Sequence, residues 1–126
     1  MQRKKILVVD DARIVRQQVG MALKDAGFEV LEAEDGLTAV ALVGKTLDLA
    51  MVVCDVNMPG MSGLEFLETL AASGRIRSLP VVILTTEVNT ALVTRAKSAG
   101  AKAWMVKPFN ASALILTAKK LTGLPC

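Results

Sequence analysis

The residues best suited to chemistry in this sequence are three aspartates, a threonine and a lysine, each placed just after a short apolar run. Asp10 and Asp11 follow the first such run, Asp55 the third, Thr85 the fourth and Lys107 the fifth. Carboxylates held close together repel one another unless a cation lies among them, and oxygen ligands of this kind suit Mg²⁺. A lysine and a hydroxyl are the partners that a phosphoryl oxygen would need. Together the five residues predict a Mg²⁺ site that handles a phosphoryl group.

Each of these residues also has a simpler structural explanation. Asp11 could cap a helix, and Asp55 could open the turn that continues through Asn57. Thr85 suits a strand, and Lys107 could extend into solvent. The joint interpretation is favoured because one site accounts for all of these residues at once.

Elements that would position these residues alternate along the chain. Short apolar runs predict five strands, at Ile6–Val9, Phe28–Leu31, Ala50–Cys54, Val81–Leu84 and Ala103–Val106. Amphipathic stretches between them predict helices, at Ala12–Ala26, Leu37–Val43, Leu64–Ala72, Ala91–Ala99 and a fifth that begins near Asn110. Apart from the second, the strands are nearly continuous in apolar residues, which is typical of strands covered on both faces.

This alternation predicts an α/β fold, a doubly wound five-stranded parallel sheet in a three-layer αβα sandwich. Ligands of such sheets bind beyond the carboxyl ends of the strands, where the polar residues fall. The turn after the first strand has no glycine, so neither a dinucleotide fingerprint nor the phosphate loop of an FMN carrier is present.

Composition narrows the classes of function. The chain has 126 residues, 52% hydrophobic and 21% charged, with a net charge of +3, as expected for one globular domain over residues 1–126. Because it has no histidine, His-based catalysis and most zinc sites are excluded. No apolar run is long enough to span a membrane, and scattered basic residues with four aromatics argue against nucleic-acid binding. Two cysteines, Cys54 and Cys126, suggest no disulfide framework, so a reducing, cytoplasmic location is expected.

The arrangement of these motifs resembles the response-regulator receiver domain of two-component signalling. The resemblance runs through the chain in order and is carried by Asp10-Asp11, Asp55, Met58-Pro59-Gly60-Met61-Ser62-Gly63, Thr85 and Lys107-Pro108. It implies the flavodoxin-like strand order 2-1-3-4-5.

Roles for individual residues follow from the resemblance. It implies that Asp55 is the phosphoacceptor and that Thr85 and Lys107 contact the phosphoryl group. It also implies that Mg²⁺ is held by Asp10, Asp11, Asp55 and the backbone carbonyl of Asn57, with Asp10 acting mainly through a bound water. The Lys107–Pro108 peptide bond is expected to be cis.

Two pairs of residues are expected to affect the switch and the lifetime of the phosphate. Thr85 and Trp104 are the implied switch residues, although the family more often has tyrosine, phenylalanine or histidine where Trp104 stands. Asn57 and Glu87, two residues beyond Asp55 and Thr85, are expected to tune how long the phosphate lasts. Strand alternation places Trp104 on the face opposite Lys107, over the fourth or fifth helix.

The resemblance implies a phosphorylation-activated signalling switch rather than an enzyme. A sensor histidine kinase would supply the phosphoryl group, and a monomer would dock on a downstream protein through its fourth helix, fifth strand and fifth helix. A chemotaxis or motility regulator is the preferred interpretation, and a phosphorelay intermediate that passes the group to another histidine is the alternative. A Mg²⁺-dependent aspartyl-phosphate phosphatase is a distant third, because such enzymes carry the nucleophile after the first strand.

Overall fold

In the computed structural model, which describes residues 3–124, five strands and five α-helices alternate along the chain. The strands are β1 (Lys5–Val9), β2 (Glu29–Ala33), β3 (Leu49–Cys54), β4 (Val81–Thr85) and β5 (Ala103–Val106). The helices are α1 (Arg13–Asp25), α2 (Gly36–Lys45), α3 (Gly63–Ala72), α4 (Thr90–Ala99) and α5 (Ala111–Thr122), with a short 3₁₀ helix at Arg75–Arg77. Cys126 lies outside the described residues.

All strands pair in parallel, in the order β2-β1-β3-β4-β5. The predicted fold class and strand order are therefore confirmed. Because the strands run the same way, their carboxyl ends meet at one edge of the sheet, where β1, β3 and β4 lie side by side.

Two hydrophobic clusters cover the two faces of the sheet. Helices α2, α3 and α4 contribute to the first cluster, whereas α1 and α5 contribute to the second. Successive β1 residues alternate between them, with Leu7 and Val9 in the first and Ile6 and Val8 in the second. Burial on both faces explains why the central strands are continuous apolar runs.

Strand β2 is displaced from its prediction, because it covers Glu29–Ala33 rather than residues 28–31. It is an edge strand that pairs only with β1. Glu29 and Glu32 are exposed while Ala33 is buried. An apolar-run criterion misses a strand of this kind, because only part of its surface enters the core.

Side-chain caps define where three of the helices begin, as Asp35, Asn89 and Asn110 each accept a backbone N–H from the first turn. Ser62 and Glu65 form a reciprocal capping box at α3. Helix α1 differs, because its cap residue is Ala12 and no side chain caps it. Among residues 3–124, no helix has both the length and the apolar character needed to cross a bilayer.

Candidate functional site

Asp10 lies at the carboxyl end of β1 with all of its polar atoms engaged. Its backbone N–H donates to the carbonyl of Ala33 at 3.1 Å. One carboxylate oxygen, Oδ1, accepts the backbone N–H of Ala12 at 2.9 Å, and the other, Oδ2, accepts from Lys107 Nζ at 2.7 Å. Asp10 is only 3% exposed, so these bonds compensate the carboxylate for the water it has lost.

Asp55 follows β3, beside Asp10 on the neighbouring strand, and is 6% exposed. Its Oδ1 accepts the backbone N–H of Val56 at 2.7 Å and that of Asn57 at 3.3 Å. Its Oδ2 accepts from Lys107 Nζ at 2.8 Å. Asp55 therefore does open the turn after β3, but the opposite oxygen of the same carboxylate faces the lysine.

Lys107 bridges the two buried carboxylates instead of extending into solvent. Burial by itself lowers the pKa of the Lys107 ammonium, but hydrogen bonds and charge attraction from Asp10 and Asp55 outweigh burial, and the net pKa is raised. The ammonium is therefore charged at neutral pH. The peptide bond to Pro108 is cis, as the resemblance implies.

Carboxylate oxygens of Asp10, Asp11 and Asp55 lie within 4.8 Å of one another. Asp11 is exposed and the other two are buried. Three oxygen donors at this separation, open to solvent on one side, fit a hard divalent cation that keeps several of its waters. The residues present are thus compatible with Mg²⁺.

Glu87 connects several of the remaining predicted residues. Its side chain accepts the amide of Asn57 at 2.9 Å, and its backbone N–H donates to the hydroxyl of Thr85 at 3.3 Å. Thr85 is fully buried at the end of β4. The loop after β4 is consequently hydrogen-bonded both to the loop after β3 and to the buried hydroxyl of Thr85.

Trp104 lies away from the carboxylates, as strand alternation predicts. It packs against the first hydrophobic cluster with Leu92 and Ala96 of α4, whereas Met105 packs against the second cluster. The indole is half-buried, and its Nε1–H donates to the backbone carbonyl of Glu87 at 3.1 Å. The indole therefore contacts the loop after β4, whose Glu87 N–H also donates to the hydroxyl of Thr85.

Three residues make contacts at the site that the sequence does not predict, among them Gly63 of the motif that follows Asp55. Arg16 donates to the carbonyl of Asp10 at 2.6 Å. A Cβ atom on Gly63 would overlap the carbonyl oxygen of Asp55. The buried thiol of Cys54 donates to the same carbonyl at 3.2 Å, and burial raises its pKa, so this thiol is not a nucleophile. These contacts have no sequence signal, because each is made to a backbone carbonyl, which is the same in every residue type.

Asp11→Ala tests whether the exposed carboxylate of this cluster has a structural role. Helix α1 begins after Ala12 without a side-chain cap, so no cap is lost, and one of three mutually repelling carboxylates is removed. In thermal melts without metal, we expect the free energy of unfolding of the variant to equal that of the wild type or to exceed it by up to about 1 kcal/mol. Its Mg²⁺ affinity should be greatly reduced. A capping role would instead predict a loss of about 0.5–2 kcal/mol.

Comparisons with known proteins identify a family and similar proteins for this chain. The family model described as the response regulator receiver domain matches residues 6–119. The chain is 41% identical over 111 residues to chemotaxis protein CheY-3 of Vibrio cholerae, covering 87% of this chain and 85% of that one. It is 38% identical to chemotaxis protein CheY of Pseudomonas aeruginosa, with coverage of 87% and 89%. A solved structure of Vibrio cholerae CheY4 matches with a TM-score of 0.87 at 38% identity, covering 95% and 99%.

Proposed function

This chain belongs to the response regulator receiver domain family, and from that premise we propose that Asp55 accepts a phosphoryl group and that the modified site alters a protein-docking face. The observation that carries the proposal is the environment of the Asp55 carboxylate. One oxygen is oriented by backbone N–H groups, and the other faces the Lys107 ammonium. A nucleophile for phosphoryl transfer needs this kind of fixed direction and adjacent positive charge.

In the proposed step, a carboxylate oxygen of Asp55 attacks the phosphorus of a phosphohistidine on a sensor kinase. A P–O bond forms, the P–N bond breaks, and the nitrogen keeps the electron pair of the broken bond. Lys107 lies beside the position that the transferred oxygens take and offsets their charge. The Thr85 hydroxyl donates a hydrogen bond to the same oxygens once the bond that it accepts from the backbone N–H of Glu87 is broken.

The side chains of Asp10, Asp11 and Asp55 would hold Mg²⁺, together with the backbone carbonyl of Asn57. When bound, the ion neutralises charge on the phosphoryl oxygens. Lys107 contacts two of these three carboxylates. The cluster is therefore suited to bind a phosphate and a cation together.

Labelling of the wild-type protein by acetyl phosphate tests this proposal. We expect the intact mass to increase by one phosphoryl group when Mg²⁺ is present, and no increase when EDTA is added in excess. The modification should be lost in hydroxylamine, which cleaves acyl phosphates and leaves phosphoserine and phosphothreonine intact. Absence of labelling with Mg²⁺, or equal labelling in EDTA, would overturn the proposal.

The docking face that we propose combines α4, β5 and α5. Val106 is 45% exposed and Leu116 is 57% exposed, and β5 is an edge strand with no partner beyond it among the described residues. Trp104 links this face to the site through the Glu87 carbonyl. Exposed apolar side chains around a half-buried aromatic are typical of a protein-binding surface.

Trp104 fluorescence is expected to report phosphorylation, since Trp104 is the only tryptophan in the chain. If Thr85 turns toward the phosphoryl group, it releases the Glu87 N–H, and the carbonyl that holds the indole moves with the loop. We expect beryllofluoride with Mg²⁺ to shift the emission spectrum, and Asp55→Asn to remove the shift. An unchanged spectrum in the phosphorylated protein would show that the signal does not pass through Trp104.

Among possible pathways, we favour a chemotaxis-type regulator over a phosphorelay intermediate. Relatives in Vibrio cholerae and Pseudomonas aeruginosa are chemotaxis proteins. The polar pair of Asn57 and Glu87 lies within hydrogen-bonding distance at the site. Polar side chains in these positions can orient an attacking water, which supports a short-lived phosphate, whereas a relay benefits from a long-lived one.

A further inference from the structure

Arg16 joins three elements beneath the candidate metal site. It lies on α1, and its side chain is 13% exposed. Nη1 donates to the backbone carbonyl of Asp10 at 2.6 Å, and Nε donates to Oε1 of Glu32 on β2 at 3.1 Å. The planar guanidinium thus fixes the end of β1 against both its own helix and the neighbouring edge strand.

The carbonyl of Asp10 belongs to the peptide group that leads into Asp11. The contacts from Ala33, Ala12 and Lys107 hold the other polar atoms of Asp10. Arg16 supplies the contact to the carbonyl, and this contact sets the orientation of the following peptide plane.

The position of the Asp11 carboxylate depends on this peptide plane more than the positions of the Asp10 and Asp55 carboxylates do. Its carboxylate is exposed, and within residues 3–124 it makes no side-chain hydrogen bond and does not cap α1. Asp10 and Asp55, in contrast, are each held through both carboxylate oxygens. Among the described residues, the backbone is therefore what sets the position from which the Asp11 side chain extends.

We propose that Arg16 is a positioning residue that directs the carboxylate of Asp11 toward the metal position shared with Asp10 and Asp55. The inference rests on the proposed function, since it concerns Mg²⁺ binding at that site. Residues that orient metal ligands commonly affect metal affinity without contacting the ion. In this case the orientation acts through the backbone of the ligand pair.

The charge and the geometry of Arg16 have opposite effects on Mg²⁺ affinity. The Arg16 guanidinium, whose Nη1 contacts the backbone of Asp10, repels a cation bound at that residue, so removing the charge of Arg16 should strengthen Mg²⁺ binding if charge were its whole contribution. Loss of the bond to the Asp10 carbonyl should weaken binding. The sign of the change in a charge-removing variant therefore separates the two effects.

Titration of ¹⁵N-labelled protein with MgCl₂, monitored by NMR, tests the proposal. Arg16→Lys keeps the charge, but a single ammonium lacks the fork that reaches both Asp10 and Glu32. We expect Arg16→Lys to bind Mg²⁺ about tenfold more weakly than the wild type, and Arg16→Met to bind more weakly than the wild type as well. Arg95→Lys is the matched control, because Arg95 makes a two-pronged ion pair with Glu68 on the surface. The Mg²⁺ affinity of this variant should stay within about twofold of the wild-type value.

Thermal melts of the same variants separate positioning from a merely structural role. If Arg16→Lys lowers the melting temperature while its Mg²⁺ affinity stays at the wild-type value, the inference is wrong. Tighter binding by Arg16→Met would also overturn it, because charge would then dominate. If the wild type itself binds no Mg²⁺, the proposed function fails rather than the assignment of Arg16, so the two failures are distinguishable.

Discussion

Asp55→Asn is expected to abolish phosphoryl incorporation from acetyl phosphate. An amide is not a competent nucleophile for this transfer, and Asp55 is the carboxylate whose Oδ1 accepts two backbone N–H groups while its Oδ2 faces Lys107. The amide has nearly the same shape and can still accept hydrogen bonds, and Lys107 keeps its ion pair with Asp10. We therefore expect a folded protein with labelling reduced to background, measured by intact mass and circular dichroism.

Asp48→Asn provides the matched control, because Asp48 immediately precedes β3 whereas Asp55 immediately follows it. The Asp48 carboxylate is exposed and pairs with Lys5 at 2.8 Å, at the opposite end of the sheet from the site. The same substitution there should leave labelling at the wild-type level. Full labelling of Asp55→Asn would mean that another carboxylate is the acceptor, and loss of labelling in Asp48→Asn would point to a general effect on folding.

Gly63→Ala is expected to cause a large loss of stability together with loss of phosphoryl acceptance. The added Cβ would overlap the carbonyl oxygen of Asp55 and lie 3.0 Å from the Cα of Val56. Both obstacles are backbone atoms, so no side-chain rotation relieves the clash, and α3 or the turn after β3 has to move. We expect the free energy of unfolding in urea to fall by about 3 kcal/mol. Labelling should fall as well, because the displaced backbone carries the phosphoacceptor.

Gly44→Ala should have the opposite effect, which makes it a matched control. Gly44 is exposed within α2, and a Cβ atom there would meet nothing within 4 Å. Alanine is favoured over glycine in a helix interior, so we expect a gain of about 0.5–1 kcal/mol with unchanged labelling. Equal stability of Gly63→Ala and the wild type would show that the contact between α3 and Asp55 is not a tight one.

Local patterns predicted most of the fold, because each is a property of a few neighbouring residues. Strand β5 begins and ends where its apolar run does, and Asn110 caps α5 as predicted. The predicted elements differ from the structure where a strand is buried on only part of its surface or where local sequence signals are weak. The apolar run predicts the edge strand β2 too early in the chain, and no local pattern predicts the 3₁₀ helix at Arg75–Arg77. Residue types at strand ends also identified the carboxylates that the structure brings together.

The tertiary structure alone decided how those residues contact one another. Lys107 meets Asp10 across 97 positions of sequence and Asp55 across 52, and both contacts exist because β5, β3 and β1 end at one edge of the sheet. The indole of Trp104 bonds to the carbonyl of Glu87, and Arg16 bonds to that of Asp10. Backbone carbonyls are the same in every residue type, so no sequence pattern marks which carbonyl a distant donor reaches. Side-chain chemistry and hydrophobic periodicity can be determined from a few neighbouring residues of the sequence. The hydrogen-bonding partners described above depend instead on strand order and helix placement, which are properties of the whole chain.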